Sequence, residues 1–178
     1  MKKIFKYIFA GMAAMSVVAC SEDALETSPS SSVSGNELLG TATNALVSLN
    51  GVYRAMYTAG VSNSSNTHQC FGITAYNLVA DVMGEDCIMN GQGSGWFWYD
   101  CVYNVKSRYT STGWRSYDMW NGYYTWISNV NYILAEEETM SGSETEKNYV
   151  LGQAYAVRAY SYFMLAQMFS RTYKRHES

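Results

Sequence analysis

Apolar residues recur along most of this chain at steps of three and four, and Gly- and Ser-rich stretches interrupt them. The first series is Leu38, Ala42, Ala45, Leu49, Val52 and Met56, with Leu39, Leu46 and Tyr53 beside it, so one broad helical face is buried. Ser34 and Glu37 form an S-x-x-E capping box just ahead of it, and Gly60 marks its end. A Ser/Asn-rich loop, "VSNSSNTHQ", leads to a shorter series of Ala75, Leu78, Val79 and Val82, which Gly84 stops. From Glu85 to Gly113 no helical period holds, and Gly91, Gly93, Gly95 and Gly113 bracket a long irregular excursion. Loops of this length are uncommon inside compact domains and often carry function.

A third helix is predicted from about Trp114 to Glu137, with Trp120, Tyr123, Ile127, Val130 and Leu134 as its buried stripe. Gly122 on this helix leaves room for a neighbour to approach closely. After the short link "MSGS", a second capping box (Ser143 with Glu146) opens a fourth helix that runs to about Phe169. Val150, Ala154, Val157, Met164 and Met168 form one stripe; Leu151, Tyr155, Tyr162 and Leu165 form another, so this helix is expected to be central. The short link makes the last two helices an antiparallel hairpin. The fold class is therefore all-α, built of tetratricopeptide-like helical hairpins with a long irregular loop. Arg158 on the last helix has two readings: its stem snorkels to solvent, or its head pairs with a carboxylate of another helix.

The N-terminus follows a different pattern. Lys2, Lys3 and Lys6 precede an apolar stretch from Tyr7 to Val18, and Ala19 precedes Cys20. This is the layout of a secretory signal peptide, too short in its apolar part to span a bilayer. The "VVAC" junction resembles the lipobox of bacterial lipoproteins, in which the cysteine carries the lipid. Three segments are expected: a signal peptide over 1–19, a lipidated Ser-rich tether over 20–35, and a helical domain over 36–178. The acidic run "SEDALE" after Cys20 resembles an export tag of lipoproteins facing the cell exterior.

Loss of the three signal-peptide lysines takes the formal net charge from −3 to −6, which argues against a nucleic-acid partner. Cys70, Cys87 and Cys101 remain, allowing one disulfide and a free thiol, or no bridge. His68 and Cys70 lack enough companions for a closed zinc site, so no metal and no cofactor are expected. Neither a nucleophile elbow nor an H-E-x-x-H or P-loop motif is present, so no enzymatic activity is expected.

Three segments in succession carry a family likeness: "LNGVYRAMY", then "YYTWISNVNYIL" with Asn129 and Asn131, then "GQAYAVRAYSYFMLAQMF". With the lipobox, they resemble the SusD/RagB family of outer-membrane glycan-binding lipoproteins. The most specific match is Gly152-Gln153-Ala154 leading to Arg158-Ala159-Tyr160 and Phe163. The resemblance implies an all-helical, non-enzymatic protein held at the outer membrane by a lipid on Cys20 and facing the exterior. It implies capture of oligosaccharides or other nutrients and delivery to a SusC-type TonB-dependent transporter. Members of the family run to several hundred residues, so the chain reads as an N-terminal part of such a protein.

Sugar recognition needs flat aromatic faces for C–H groups and planar polar side chains for hydroxyls. In "GQGSGWFWYD", Trp96, Trp98 and Tyr99 supply rings, with Asn90, Gln92 and Asp86 nearby. In extended backbone Trp96 and Trp98 share one side, and Phe97 and Tyr99 the other. These rings either fill the layer between loop and helices or meet ligand. Trp114, Trp120 and Trp126 are expected in the core. A helical envelope scaffold without sugar binding is the alternative.

Overall fold

The computed structural model describes residues 38–84, 87–102 and 110–171, within a compact unit spanning Gly35–Ser178. Five α-helices lie wholly within them: α1 Ala42–Ala55, α2 Ile73–Met83, α3 Trp98–Val102, α4 Trp114–Ala135 and α5 Glu144–Phe169. Among the described residues there is no β-strand, only an isolated parallel bridge between Thr41 and Ser141. The fold is all-α, as the periodicity predicts.

The frame is the pair α4–α5. Contacts between them run Glu137–Tyr155, Asn131–Arg158, Tyr124–Tyr162 and Trp120–Phe169, one index falling as the other rises, so the helices are antiparallel. The Ser143 capping box forms as expected: Ser143 Oγ accepts the Glu146 N–H and the Glu146 carboxylate accepts the Ser143 N–H at 2.9 Å. The Ser143 hydroxyl, which donates to the same carboxylate at 2.7 Å, and then the Ser143 N–H hold the Glu146 carboxyl below its ordinary value. α1 packs against both long helices. Its Tyr53 hydroxyl bonds Gln153 Oε1 of α5 at 3.0 Å, and the Ala42 N–H bonds Ser141 O at 2.9 Å.

The core contains Leu49 and Val52 of α1, Tyr76 and Val79 of α2, Tyr123, Trp126 and Val130 of α4, and Val150, Ala154 and Leu165 of α5. Full burial of aliphatic side chains of this size stabilises by about 1.5–3 kcal/mol each. Tyr76, Tyr123 and Trp126 meet in a ring cluster with centroids 4.9–6.0 Å apart, which joins α2 to the α4–α5 pair. Gly122 permits this. A Cβ there would overlap the Tyr76 hydroxyl, so the close approach expected of this glycine is made by a tyrosine of α2.

Several expectations change in detail. The Ser34–Glu37 capping box lies outside the described residues. α1 is capped by Thr41, whose Oγ1 accepts the Asn44 N–H, and it ends at Ala55 rather than running on to Gly60. The Met56 carbonyl leaves the helix because it accepts the Ile73 N–H at 2.8 Å. Leu78 is exposed and Tyr76 takes the buried position on α2. On α4 the expected stripe is buried at Tyr123, Ile127, Val130 and Leu134, and the buried face is wider than expected, taking in Arg115, Asp118, Gly122, Trp126 and Ile133. Trp126 is core, Trp114 is half-buried, and Trp120 is 46% exposed, against Tyr124 and Phe169. The second stripe of α5 is likewise part exposed, with Tyr155 and Tyr162 outward and Leu151 and Leu165 inward. Arg158 fits the first of its two readings better than the second: it is half-buried, its head donates to Asn131 Oδ1 at 3.1 Å in an exposed bond, and it lies over the Tyr155 ring.

Candidate functional site

Two loops and one helix end converge beside α2. The first loop, between α1 and α2, holds a 3₁₀ turn at Ser64–Asn66, with Asn63 Oδ1 accepting the Ser65 N–H. A bond from the Gly60 N–H to Cys70 O at 2.9 Å closes it. The second loop leads into α3, which is itself a departure from the sequence reading, since a five-residue helix interrupts the excursion between 85 and 113. A turn closed by Gly95 N–H to Gln92 O sets up the step into Trp96 and Phe97.

Phe97 is the residue that sorts these rings. Its φ of +57° is a left-handed conformation that a bulky side chain rarely adopts, at a cost of order 1–3 kcal/mol. Three contacts offset that cost. The ring is buried edge-on against Phe71 with centroids 6.1 Å apart, the Arg115 guanidinium lies 5.2 Å from its centroid, and its N–H bonds Gln69 Oε1 at 2.8 Å. The kink turns Phe97 inward and leaves Trp96 50% exposed.

Below Phe97 lies a buried polar cluster. Arg115 is 2% exposed and bridges the first loop and α3: Nη2 donates to Asp100 Oδ2 at 2.9 Å and Nη1 donates to Gln69 O at 2.8 Å. The guanidinium stacks over Trp114 at 4.3 Å, and its Nη1 stands 3.9 Å from Asp118 Oδ2. Ser62 Oγ donates to Asp118 Oδ1, Tyr76 Oη donates to Asp118 O at 2.9 Å, and Asn121 Nδ2 donates to Ser62 O at 2.7 Å. Burial raises the Asp118 carboxyl above its ordinary value, against the opposing pull of Ser62, Cys70 and Arg115. Burial first, and Asp118 second, push the Cys70 thiol up to about 12. Burial also raises the Tyr76 phenol. Arg115, Asp118, Cys70 and Tyr76 are each at most 2% exposed, with Arg115 and Tyr76 bordering a groove beside α2. Their chemistry is that of a clamp: one guanidinium ties the first loop, α3 and the start of α4 together.

The predicted site residues fall as follows. Trp96 stands half exposed beside His68, ring centroids 5.1 Å apart and planes at 38°. Trp98 and Tyr99 are half-buried in the first turn of α3, and Asn90 is exposed in the second loop. Asp86 lies outside the described residues. The extended backbone that the alternation of Trp96 and Trp98 assumes does not form, because the chain kinks at Phe97 and enters a helix at Trp98. His68, considered in the sequence only as a metal ligand, is the ring that meets Trp96. Nothing in their spacing of 28 residues signals the contact. Arg115 and Asp118 are missed too, because charged residues in the first turns of a helix read as solvent-facing.

Cys70, Cys87 and Cys101 are all free thiols. Two grooves of about 320 and 330 Å³ lie along the helices and share Ser116 and Phe169; neither is lined by Trp96 or His68. Among the described residues no helix is long and apolar enough to cross a membrane.

Residues 25–178 match the family model SusD-like_3, described as starch-binding associating with outer membrane. The chain belongs to the SusD-like family. None of the curated proteins and none of the solved structures compared with it matches. SusD-like membership gives the helical hairpins their context: Gln153, in the segment that carried the likeness, is the α5 residue that accepts from Tyr53 of α1.

Proposed function

We propose that this SusD-like chain captures oligosaccharides at the cell exterior and hands them to a SusC-type TonB-dependent transporter, without catalysing their cleavage. The observation that carries this reading is Trp96: half exposed, set out by a strained Phe97, and underpinned by a buried Arg115 cluster in a member of a starch-binding family. A large rigid ring fixed at a surface suits the apolar face of a pyranose. Asn90, Trp98, Tyr99 and Asp86 are proposed to supply further contacts, the first as a hydroxyl partner. Lipidation of Cys20, a tether over 20–35 and a binding domain over 36–178 complete the proposal. Calorimetric titration of the chain with maltoheptaose tests it, with saturable binding and no released reducing sugar as the expected result. Reducing ends accumulating during the titration would contradict the non-enzymatic part.

One observation favours the alternative of a helical docking scaffold. Trp120, Tyr124, Tyr162 and Phe169 form a contiguous set of ring contacts, each residue about 40–50% exposed, on the outer side of α4–α5. Binding to the transporter that survives Trp96→Ala but is lost in Trp120→Ser would support that role.

A further inference from the structure

We infer that His68 is a second sugar-contacting residue, presenting an Nδ1–H donor beside the Trp96 ring; the inference rests on the reading of Trp96 as a glycan platform. The tautomer follows from the bonds of Gln69. Its amide oxygen is committed to the Phe97 N–H at 2.8 Å, which can only donate. The amide nitrogen, itself only a donor, therefore faces His68 Nε2 at 3.1 Å. Nε2 must accept, so the proton of the neutral imidazole sits on Nδ1.

The same residue fixes the ring in place. The Gln69 carbonyl is held by Arg115 Nη1 at 2.8 Å, so both ends of Gln69 are tied to the buried cluster. His68 thus has a fixed tautomer, and its ring stands 5.1 Å from Trp96 at 38°. Both side chains are exposed. A pyranose with its C–H face on Trp96 would bring a ring-edge hydroxyl within reach of Nδ1–H as acceptor. The pair then combines the two requirements of sugar recognition, a flat apolar face and an oriented donor. Pre-organisation by Gln69 reduces the ordering cost of the donor on binding.

Maltoheptaose titration of the full chain and of His68→Ala, His68→Phe and Trp96→Ala tests this, with thermal melting as the check on folding. His68→Ala and His68→Phe are each expected to weaken binding about fivefold, the worth of one hydrogen bond, with unchanged melting. Phe retains the ring and lacks the donor, so unaltered affinity in His68→Phe would overturn the assignment. Loss in Trp96→Ala with both His68 variants unaffected overturns it too, and leaves the Trp96 platform standing. Unchanged binding in Trp96→Ala sinks the platform and with it the inference. Independently of any ligand, ring ¹⁵N chemical shifts of the free chain near neutral pH are expected to report the Nδ1–H tautomer; an Nε2–H tautomer contradicts the bonding argued above.

Discussion

Arg115 concentrates more of the local structure than any other side chain near the candidate site. It meets Asp100, Gln69, Asp118, Trp114 and Phe97 from one nearly inaccessible position. Removing one partner of a buried ion pair leaves the other charge uncompensated, so Arg115→Ala is expected to destabilise the fold by about 3–5 kcal/mol in denaturant unfolding. A loss below about 1 kcal/mol, the range of exposed pairs, would show that the cluster is not closed to water. Asp118 gives a pH signature. Its carboxyl is raised in the folded chain, so the fold holds that proton more tightly than the unfolded chain does. Its contribution to stability is then greatest below the ordinary value of 3.8 and falls as pH rises through the raised folded value. Unfolding free energies measured upward from pH 4 should decline in the unsubstituted chain, and Asp118→Asn should flatten that part of the profile. A slope unaltered by the substitution would assign the decline to other groups.

At the level of helices and turns, two glycines set the packing of α2. Gly72 sits at φ +68°, and a Cβ there would overlap the Met56 carbonyl that accepts the Ile73 N–H. Gly122 faces the Tyr76 hydroxyl. Gly122→Ala is expected to cost about 1–3 kcal/mol by overpacking, and Gly72→Ala a similar amount with added backbone strain. Melting temperatures within a degree of the unsubstituted chain would contradict both. The helices themselves were legible: α2, α4 and α5 begin and end within two residues of the positions their periodicity and glycines indicate. The signals that failed were finer. Trp120 fits the same three-four stripe as the buried Tyr123, Ile127, Val130 and Leu134, yet it is 46% exposed, and toward the start of α4 the buried positions are Arg115, Asp118 and Gly122, which hydropathy does not count as core. The five residues of α3 are too few to show a period.

For the molecule as a whole, the sequence carried the fold class and the family, while the geometry of the candidate site came only from tertiary contacts. Trp96 could be named because its residue type and Gly-rich lead-in stand out. Which of its neighbours turned inward could not, because alternation assumes an extended backbone and Phe97 leaves that conformation. His68 and Arg115 reach the site from separate segments, and no local pattern links them to it. The central claim is that Trp96, held out by this clamp, is the glycan-contacting ring of a SusD-like protein. The direct measurement is maltoheptaose affinity by calorimetry for the chain and for Trp96→Ala, with folding verified by melting. The account predicts a loss of about tenfold or more in Trp96→Ala at unchanged stability, the scale of an aromatic anchor. Equal affinity in the two proteins would contradict it.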